Sequence, residues 1–206
     1  MKLDPKKIVK GTLQLHRETV VRWHSSEPDN HYTELFGTIC QQHQYNFLLW
    51  HEEDIARSPD VSDARIAMVK RAIDGYNQNR NDWIERIDEA LVEMLGDAGV
   101  KPAPKARLNT ETPGSATDRL SIMSLRIYHL EEQLQRDDVD EAHIQRVRQR
   151  LDRCRLQLGD LSQSLAELLA DLNAGRRVLR VYRQMKMYND ATLNPYLYQR
   201  DKKQVA

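Results

Sequence analysis

The chain is expected to fold as an all-α protein, a helical bundle with a long antiparallel helical hairpin in its C-terminal half. Three observations carry this expectation. Glycine and proline, 8 and 7 of 206 residues, gather between long periodic stretches. Those stretches repeat apolar residues at alternating three- and four-residue spacing, which places them on one face of a helix. No stretch alternates apolar and polar residues as a half-buried strand does.

The elements follow in order. A first helix spans about Lys6 to Trp23 and ends at Ser25-Ser-Glu-Pro-Asp-Asn30. A second spans about Tyr32 to Arg57, its stripe containing Phe36, Cys40, Phe47 and Trp50. After the turn Ser58-Pro-Asp60, Ser62 caps a third helix that runs to about Leu95, with Ile66, Val69, Ile73, Ile84, Ile87 and Leu91 on one face. Gly96 to Thr112, with Gly99, Pro102 and Pro104, reads as a linker or a long surface loop. Thr112-Pro113 is a cap followed by proline at the first helical position of a fourth helix reaching about Gln135. Past the turn Asp137–Asp140, Ile144, Val147, Leu151, Cys154, Leu158, Leu161, Leu165, Leu168 and Leu172 form a heptad seam on a fifth helix. A hairpin with the fourth helix and a seam between two copies of the chain both fit it. The short connection and the fourth helix's own stripe (Leu120, Met123, Ile127, Leu130, Leu134) favour the hairpin. A final helix is expected over Arg176–Tyr188. Residues 1–206 read as one helical domain, or as N-terminal helices 1–97 and a C-terminal hairpin 112–206 joined by linker 98–111.

Composition excludes several classes. No apolar run approaches the roughly 20 residues of a membrane span, and the charged start Met1-Lys-Leu-Asp-Pro-Lys-Lys7 is no secretory signal. A cytoplasmic location is expected. Cys40 and Cys154 sit in apolar registers and are read as buried free thiols rather than a disulfide or a zinc pair. Thirty-one basic residues balance 31 acidic ones, so there is no overall nucleic-acid signal. From Ala174 onward, however, Arg176, Arg177, Arg180, Arg183, Lys186, Arg200, Lys202 and Lys203 outnumber Asp190 and Asp201.

Polar residues on apolar stripes point to a site, because burying them without partners costs about 1–3 kcal/mol each. His43 and Asp54 fall on the stripe of the second helix, which ends in His51-Glu-Glu-Asp54. Tyr76, Asn77, Arg80 and Asn81 interrupt the stripe of the third, followed by Glu85 and Asp88. Candidate ligand-binding residues are therefore His43, Asn46, Trp50, His51, Glu53, Asp54, Arg57, Asn77, Arg80 and Asn81. An internal Arg80–Asp54 or Arg80–Glu53 ion pair is the purely structural alternative. His51, Asp54, Glu85 and Asp88 are candidate ligands for a divalent metal; carboxylates suit Mg²⁺ or Mn²⁺, and imidazole adds zinc or iron. Glu85-Arg-Ile-Asp88 resembles the ExxD half of MazG-type pyrophosphohydrolases, although His51-Glu-Glu-Asp54 departs from their ExxE. Thr112–Ser121 opens a helix whose free backbone N–H groups suit an anion.

Longer segments carry a resemblance. They are Asn46-Phe-Leu-Leu-Trp-His-Glu-Glu-Asp-Ile-Ala-Arg57, Ile73-Asp-Gly-Tyr-Asn-Gln-Asn-Arg-Asn-Asp82, Glu111-Thr-Pro-Gly-Ser115 with Asp118-Arg-Leu-Ser-Ile122, Ile127-Tyr-His129, and Lys186-Met-Tyr-Asn-Asp190 with Leu193-Asn-Pro195. Together they resemble a bacterial family known as domain of unknown function 4254; Ala191 stands where that pattern has a proline. The resemblance implies a cytoplasmic protein linked to lipopolysaccharide or other surface-glycan synthesis, and implies no particular activity. The expected function is an accessory protein that binds an anionic small molecule or a glycan-synthesis enzyme. Alternatives are a metal-dependent, MazG-like hydrolase of a phosphorylated metabolite or nucleotide-sugar, and a purely structural protein oligomerising through the 144–172 seam.

Overall fold

The structure is a computed structural model that describes residues 3–187 and 190–198. Arg200, Asp201, Lys202 and Lys203 of the basic C-terminal count, and Tyr188 and Asn189 of the Lys186–Asp190 segment, lie outside the described residues. Five long helices dominate: α1 (Pro5–Trp23), α2 (Glu34–Arg57), α3 (Asp63–Asp97), α4 (Pro113–Gln133) and α5 (Glu141–Asn173). Strands β1 (Arg107–Leu108) and β2 (Arg177–Val178) and a short helix α6 (Pro195–Tyr198) complete the described elements.

Side-chain caps start most of the helices. Each first turn leaves backbone N–H groups without intrahelical partners. The Asp4 carboxylate accepts from Lys7 N–H at 3.0 Å, Ser62 Oγ from Arg65 N–H at 3.3 Å, Thr112 Oγ1 from Ser115 N–H at 3.1 Å and the Asp140 carboxylate from His143 N–H at 2.6 Å. Replacing such a cap by alanine costs about 1 kcal/mol.

α4 is the central helix: it packs against each of α1, α2, α3 and α5. One apolar cluster draws on all five long helices, with Leu15, Val20 and Trp23 from α1, Ile39 and Phe47 from α2, Ile87 and Leu91 from α3, Leu120 and Leu125 from α4, and Leu165, Leu169 and Leu172 from α5. Truncating a buried leucine here to alanine costs about 2–5 kcal/mol. A smaller cluster of Leu49, Val69 and Ile73 joins α2 to α3. The polar interruption of α3, Asn77 to Asn81, falls between its contributions to the two clusters. Of the heptad seam, Val147, Leu151, Cys154, Leu165 and Leu172 are buried against the chain's own helices, so that stripe is already used inside one copy. Cys40 and Cys154 are buried free thiols.

One expectation is corrected. The helix expected over Arg176–Tyr188 does not form across its described residues, 176–187. Gly175 ends α5 at φ +70°, and the Lys101 carbonyl oxygen lies 2.6 Å from where a Cβ would stand. Only glycine accepts both the backbone conformation and that approach. The chain then leaves extended, pairing in parallel with β1 through Arg107–Arg177 and Leu108–Val178. Farther on, Arg183 is held by Glu85 and Glu89 of α3. The surface connection from α3 to α4 is tied to this stretch by the strand pair and by Ala103 N–H, which donates to the Gly175 carbonyl at 2.9 Å.

Candidate functional site

The face of α4 turned toward α2 and α3 carries Gly114, Asp118, Ser121 and Leu125, all buried and spaced four, three and four residues apart. Asp118 is the centre of a network. Its Oδ1 accepts from Gln42 Nε2 at 2.6 Å, Asn46 Nδ2 at 2.9 Å and Arg80 Nε at 2.7 Å, and its Oδ2 accepts from Arg80 Nη2 at 2.5 Å. Asn46 Nδ2 also donates to Ser121 Oγ at 2.8 Å, and that hydroxyl lies 2.6 Å from His43 Nδ1. The His43 ring packs 4.4 Å from His16 and 5.2 Å from Trp23. Burial keeps both imidazoles neutral, lowering His43 to about 3 and His16 well below its usual value.

In front of this network lies a groove of about 470 Å³ lined by Asn46, Leu49, Trp50, Glu53, Asp54, Arg57, Asn77, Arg80, Ile122 and Leu125. Most of the residues singled out on the second and third helices therefore do share one surface. Three do not. His43 sits behind it in the core. Asn81 opens instead onto a smaller cavity beside Glu85 and Asp88. His51 turns toward α1 and α4, as described below. Asp54, expected on the buried stripe, is exposed, and the acidic partner of Arg80 is Asp118 of α4 rather than Asp54 or Glu53. Arg57 is engaged within its own helix, on the Glu53 carboxylate at 2.9 Å and carbonyl at 2.7 Å.

The proposed metal set of His51, Asp54, Glu85 and Asp88 is not assembled. Glu85 pairs with Arg183 at 2.9 Å and accepts Gln184 N–H at 2.8 Å. Asp88 accepts Gly114 N–H at 2.7 Å. The anion received by the start of α4 is thus this internal carboxylate. Burial raises Asp88 to about 6 despite its hydrogen bonds from Thr112 and Gly114. A Cβ on Gly114 would stand 2.5 Å from the Ile84 carbonyl oxygen and 3.0 Å from the Asp88 carboxyl, so glycine is what lets α4 approach α3. The ExxD resemblance at Glu85–Asp88 therefore reflects ties within the fold.

A different constellation appears at the junction of α1, α2 and α4. His24, His51 and His129 each bring a ring nitrogen within 4.8 Å of the others. His24 Nδ1 lies 2.7 Å from the Val20 carbonyl, His51 Nδ1 2.8 Å from the Phe47 carbonyl, and His129 Nδ1 2.7 Å from the Glu132 carboxylate. Tyr128 stacks on His24 at 4.1 Å and Trp50 stacks on His129 at 4.9 Å. Trp50 therefore divides this cluster from the groove. Burial lowers His24 below the ordinary imidazole value, and the nearby His129 and His51 act the same way against the Val20 carbonyl.

Asp118, Ser121, Gln42, His24 and His129 are not among the candidate site residues read from the sequence. The signal for Asp118 and Ser121 was a second, polar-interrupted stripe on α4, hidden because the leucine-rich stripe facing α5 accounted for that helix. His24 lies just past the end of α1, where periodicity gives no face. The comparisons with known proteins agree with the resemblance stated above. No curated protein and no solved structure matches the chain. The family model described as protein of unknown function (DUF4254) matches residues 37–181, from α2 through β2. On that match, which covers well over half its length, the chain belongs to the DUF4254 family.

Proposed function

We propose that the chain is a cytoplasmic accessory protein of lipopolysaccharide or other surface-glycan synthesis, and that the α2–α3–α4 groove receives a hydroxyl-rich glycosyl group. The lining of the groove carries this reading. Amides (Asn46, Asn77), carboxylates (Glu53, Asp54) and guanidinium groups (Arg57, Arg80) stand beside an indole (Trp50). Planar polar groups next to an aromatic wall suit a sugar, which presents hydroxyls on its rim and C–H groups on its faces. Charge argues against a simple anion trap: Glu53 and Asp54 offset Arg57 and Arg80, and Arg80 is already bound to Asp118. The network behind the groove fixes Arg80 and Asn46 before any ligand arrives, which reduces the ordering cost of binding.

We also infer that residues 1–206 act as one domain and that α4 and α5 form a long antiparallel hairpin. The apolar cluster shared by five helices supports the first. The Glu131–Arg155 pair at 2.7 Å supports the second, since it joins the end of α4 to the middle of α5. Calorimetric titration of the full chain tests the groove, with UDP-glucose and glucose 1-phosphate set against UDP and inorganic phosphate. Binding of the sugar-bearing probes, weakened at least about tenfold by Asn77→Ala and Trp50→Ala, is the expected result. Equal binding of inorganic phosphate, or sugar binding indifferent to both changes, would contradict it.

A further inference from the structure

We propose that His24, His51 and His129 form a three-imidazole site for a divalent transition-metal ion of the zinc class, with a fourth coordination position left for water or a ligand atom. The inference does not depend on the glycosyl reading of the groove.

Tautomer and orientation make the case. A metal-binding imidazole needs one nitrogen with a free lone pair, and the other nitrogen usually donates to a carbonyl or carboxylate that fixes the ring. All three rings meet this condition. The Nδ1 neighbours of His24 and His51 are the carbonyls of Val20 and Phe47, which only accept, so Nδ1 carries the proton in both. The Nδ1 neighbour of His129 is the Glu132 carboxylate, the pairing that in zinc centres raises the basicity of the ligand nitrogen. Nε2 is then the unprotonated nitrogen of each ring. In His24 and His129 that atom is buried and has no hydrogen-bond partner. The core rings of His16 and His43 also hold unpartnered nitrogens, but the orphaned Nε2 atoms of His24 and His129 belong to a group of three imidazoles close enough to share one ion.

The donor set selects the ion. Three neutral imidazoles suit Zn²⁺, Co²⁺, Ni²⁺ or Cu²⁺, whereas Mg²⁺ and Ca²⁺ require oxygen ligands that these rings do not offer. Zinc lies about 2.0–2.1 Å from imidazole nitrogen, so binding would draw the three nitrogens closer than their present spread of up to 4.8 Å. Tyr128, Trp50 and Phe47 flank the rings and limit their swing. The ligands come from three elements far apart in sequence, so the ion would also fasten the end of α1 to α2 and α4. His51 and His129 fall within the family-matched span 37–181, and His24 precedes it.

The test uses the full chain, stripped with a chelator and dialysed, then titrated with Zn²⁺ by calorimetry and with Co²⁺ by visible absorption. The expected result is one ion per chain and an intense Co²⁺ band of four-coordinate type. Loss of that band in both His51→Ala and His129→Ala is also expected, with helical circular dichroism retained. His31→Ala should leave binding unchanged. Glu132→Gln keeps the ligands and weakens only their support, so about 10–100-fold lower affinity is expected; this milder change keeps the test decisive if an alanine variant fails to fold. No stoichiometric binding by the folded wild type would overturn the proposal. So would binding that survives His51→Ala and Glu132→Gln undiminished.

Discussion

Replacing Arg80 by methionine is expected to destabilise the protein by about 3 kcal/mol, the lower end of the cost of breaking a buried ion pair. The magnitude follows from exposure. The Asp118 side chain is 7% exposed and that of Arg80 25%. Removing the guanidinium strands a carboxylate that water barely reaches, with only the amides of Gln42 and Asn46 still donating to it. Asp118→Asn alone turns an amide N–H₂ toward Arg80, but the partly exposed guanidinium recovers some hydration, and about 2 kcal/mol is expected. The double change Arg80→Met with Asp118→Asn removes both charges and nearly keeps the volume. It should cost about as much as Asp118→Asn alone, leaving a coupling energy near 3 kcal/mol. Urea unfolding followed by circular dichroism measures all four corners of the cycle, with an unchanged m-value as the check on two-state behaviour. For a chain of this size, 3 kcal/mol corresponds to a melting shift of roughly 6–12 °C. Additive single costs, or an Arg80→Met penalty under about 1 kcal/mol, would refute the claim that one coupled pair organises the back of the groove.

Three further outcomes follow from buried groups. Burial raises Asp88 from 3.8 to about 6, so the folded state holds its proton more tightly than the unfolded one. Its contribution to stability is full below about pH 4 and falls as pH rises through 6, by about 3 kcal/mol in all; the pH dependence of Asp88→Asn minus that of wild type reads it. His43 has the opposite sign: it stays neutral to about pH 3 against 6.5 when unfolded. Stability is then lost as pH falls below 6.5, by up to about 5 kcal/mol near pH 3, and His43→Gln should flatten acid unfolding monitored by circular dichroism. Gly114→Ala should cost about 2 kcal/mol or more in denaturant unfolding, because its Cβ meets the Ile84 backbone oxygen at 2.5 Å and backbone yields little.

How much of this was legible in the sequence differs by level. The five long helices were, because their apolar stripes run at helical spacing and Asp4, Ser62, Thr112 and Asp140 are ordinary caps. The groove was partly legible: Asp54, Asn77 and Arg80 broke the apolar stripes of α2 and α3, which meet over much of their length. Its central carboxylate was not. Asp118 lies 38 residues beyond Arg80, and only packing brings the second face of α4 against that side chain. The basic stretch after Ala174 misled for a related reason. Its spacing permits a helix, but Gly175, the pairing with β1 and the pull of Glu85 and Glu89 on Arg183 fix an extended path. Glu85 and Asp88 looked like metal ligands for the same reason that they are useful in the fold, being carboxylates on a half-buried helical face. The three-histidine cluster joins residues from α2, α4 and a position just past α1, and no single periodic pattern contains all three.

A binding surface on the face shared by α2, α3 and α4, as proposed, differs from a sealed ion-pair seam in what a ligand does to its side chains. The most direct measurement is side-chain-resolved NMR of the full chain, following the Trp50 indole N–H, the Asn46 and Asn77 amides and the Arg80 Nε–H during titration with UDP-glucose. Saturable shifts concentrated on these four groups are expected, with the Gln42 amide, behind the groove at Asp118, moving little. Saturation that shifts other surfaces and leaves these groups unmoved, or no shift at any of them at millimolar probe, would contradict the proposed binding surface.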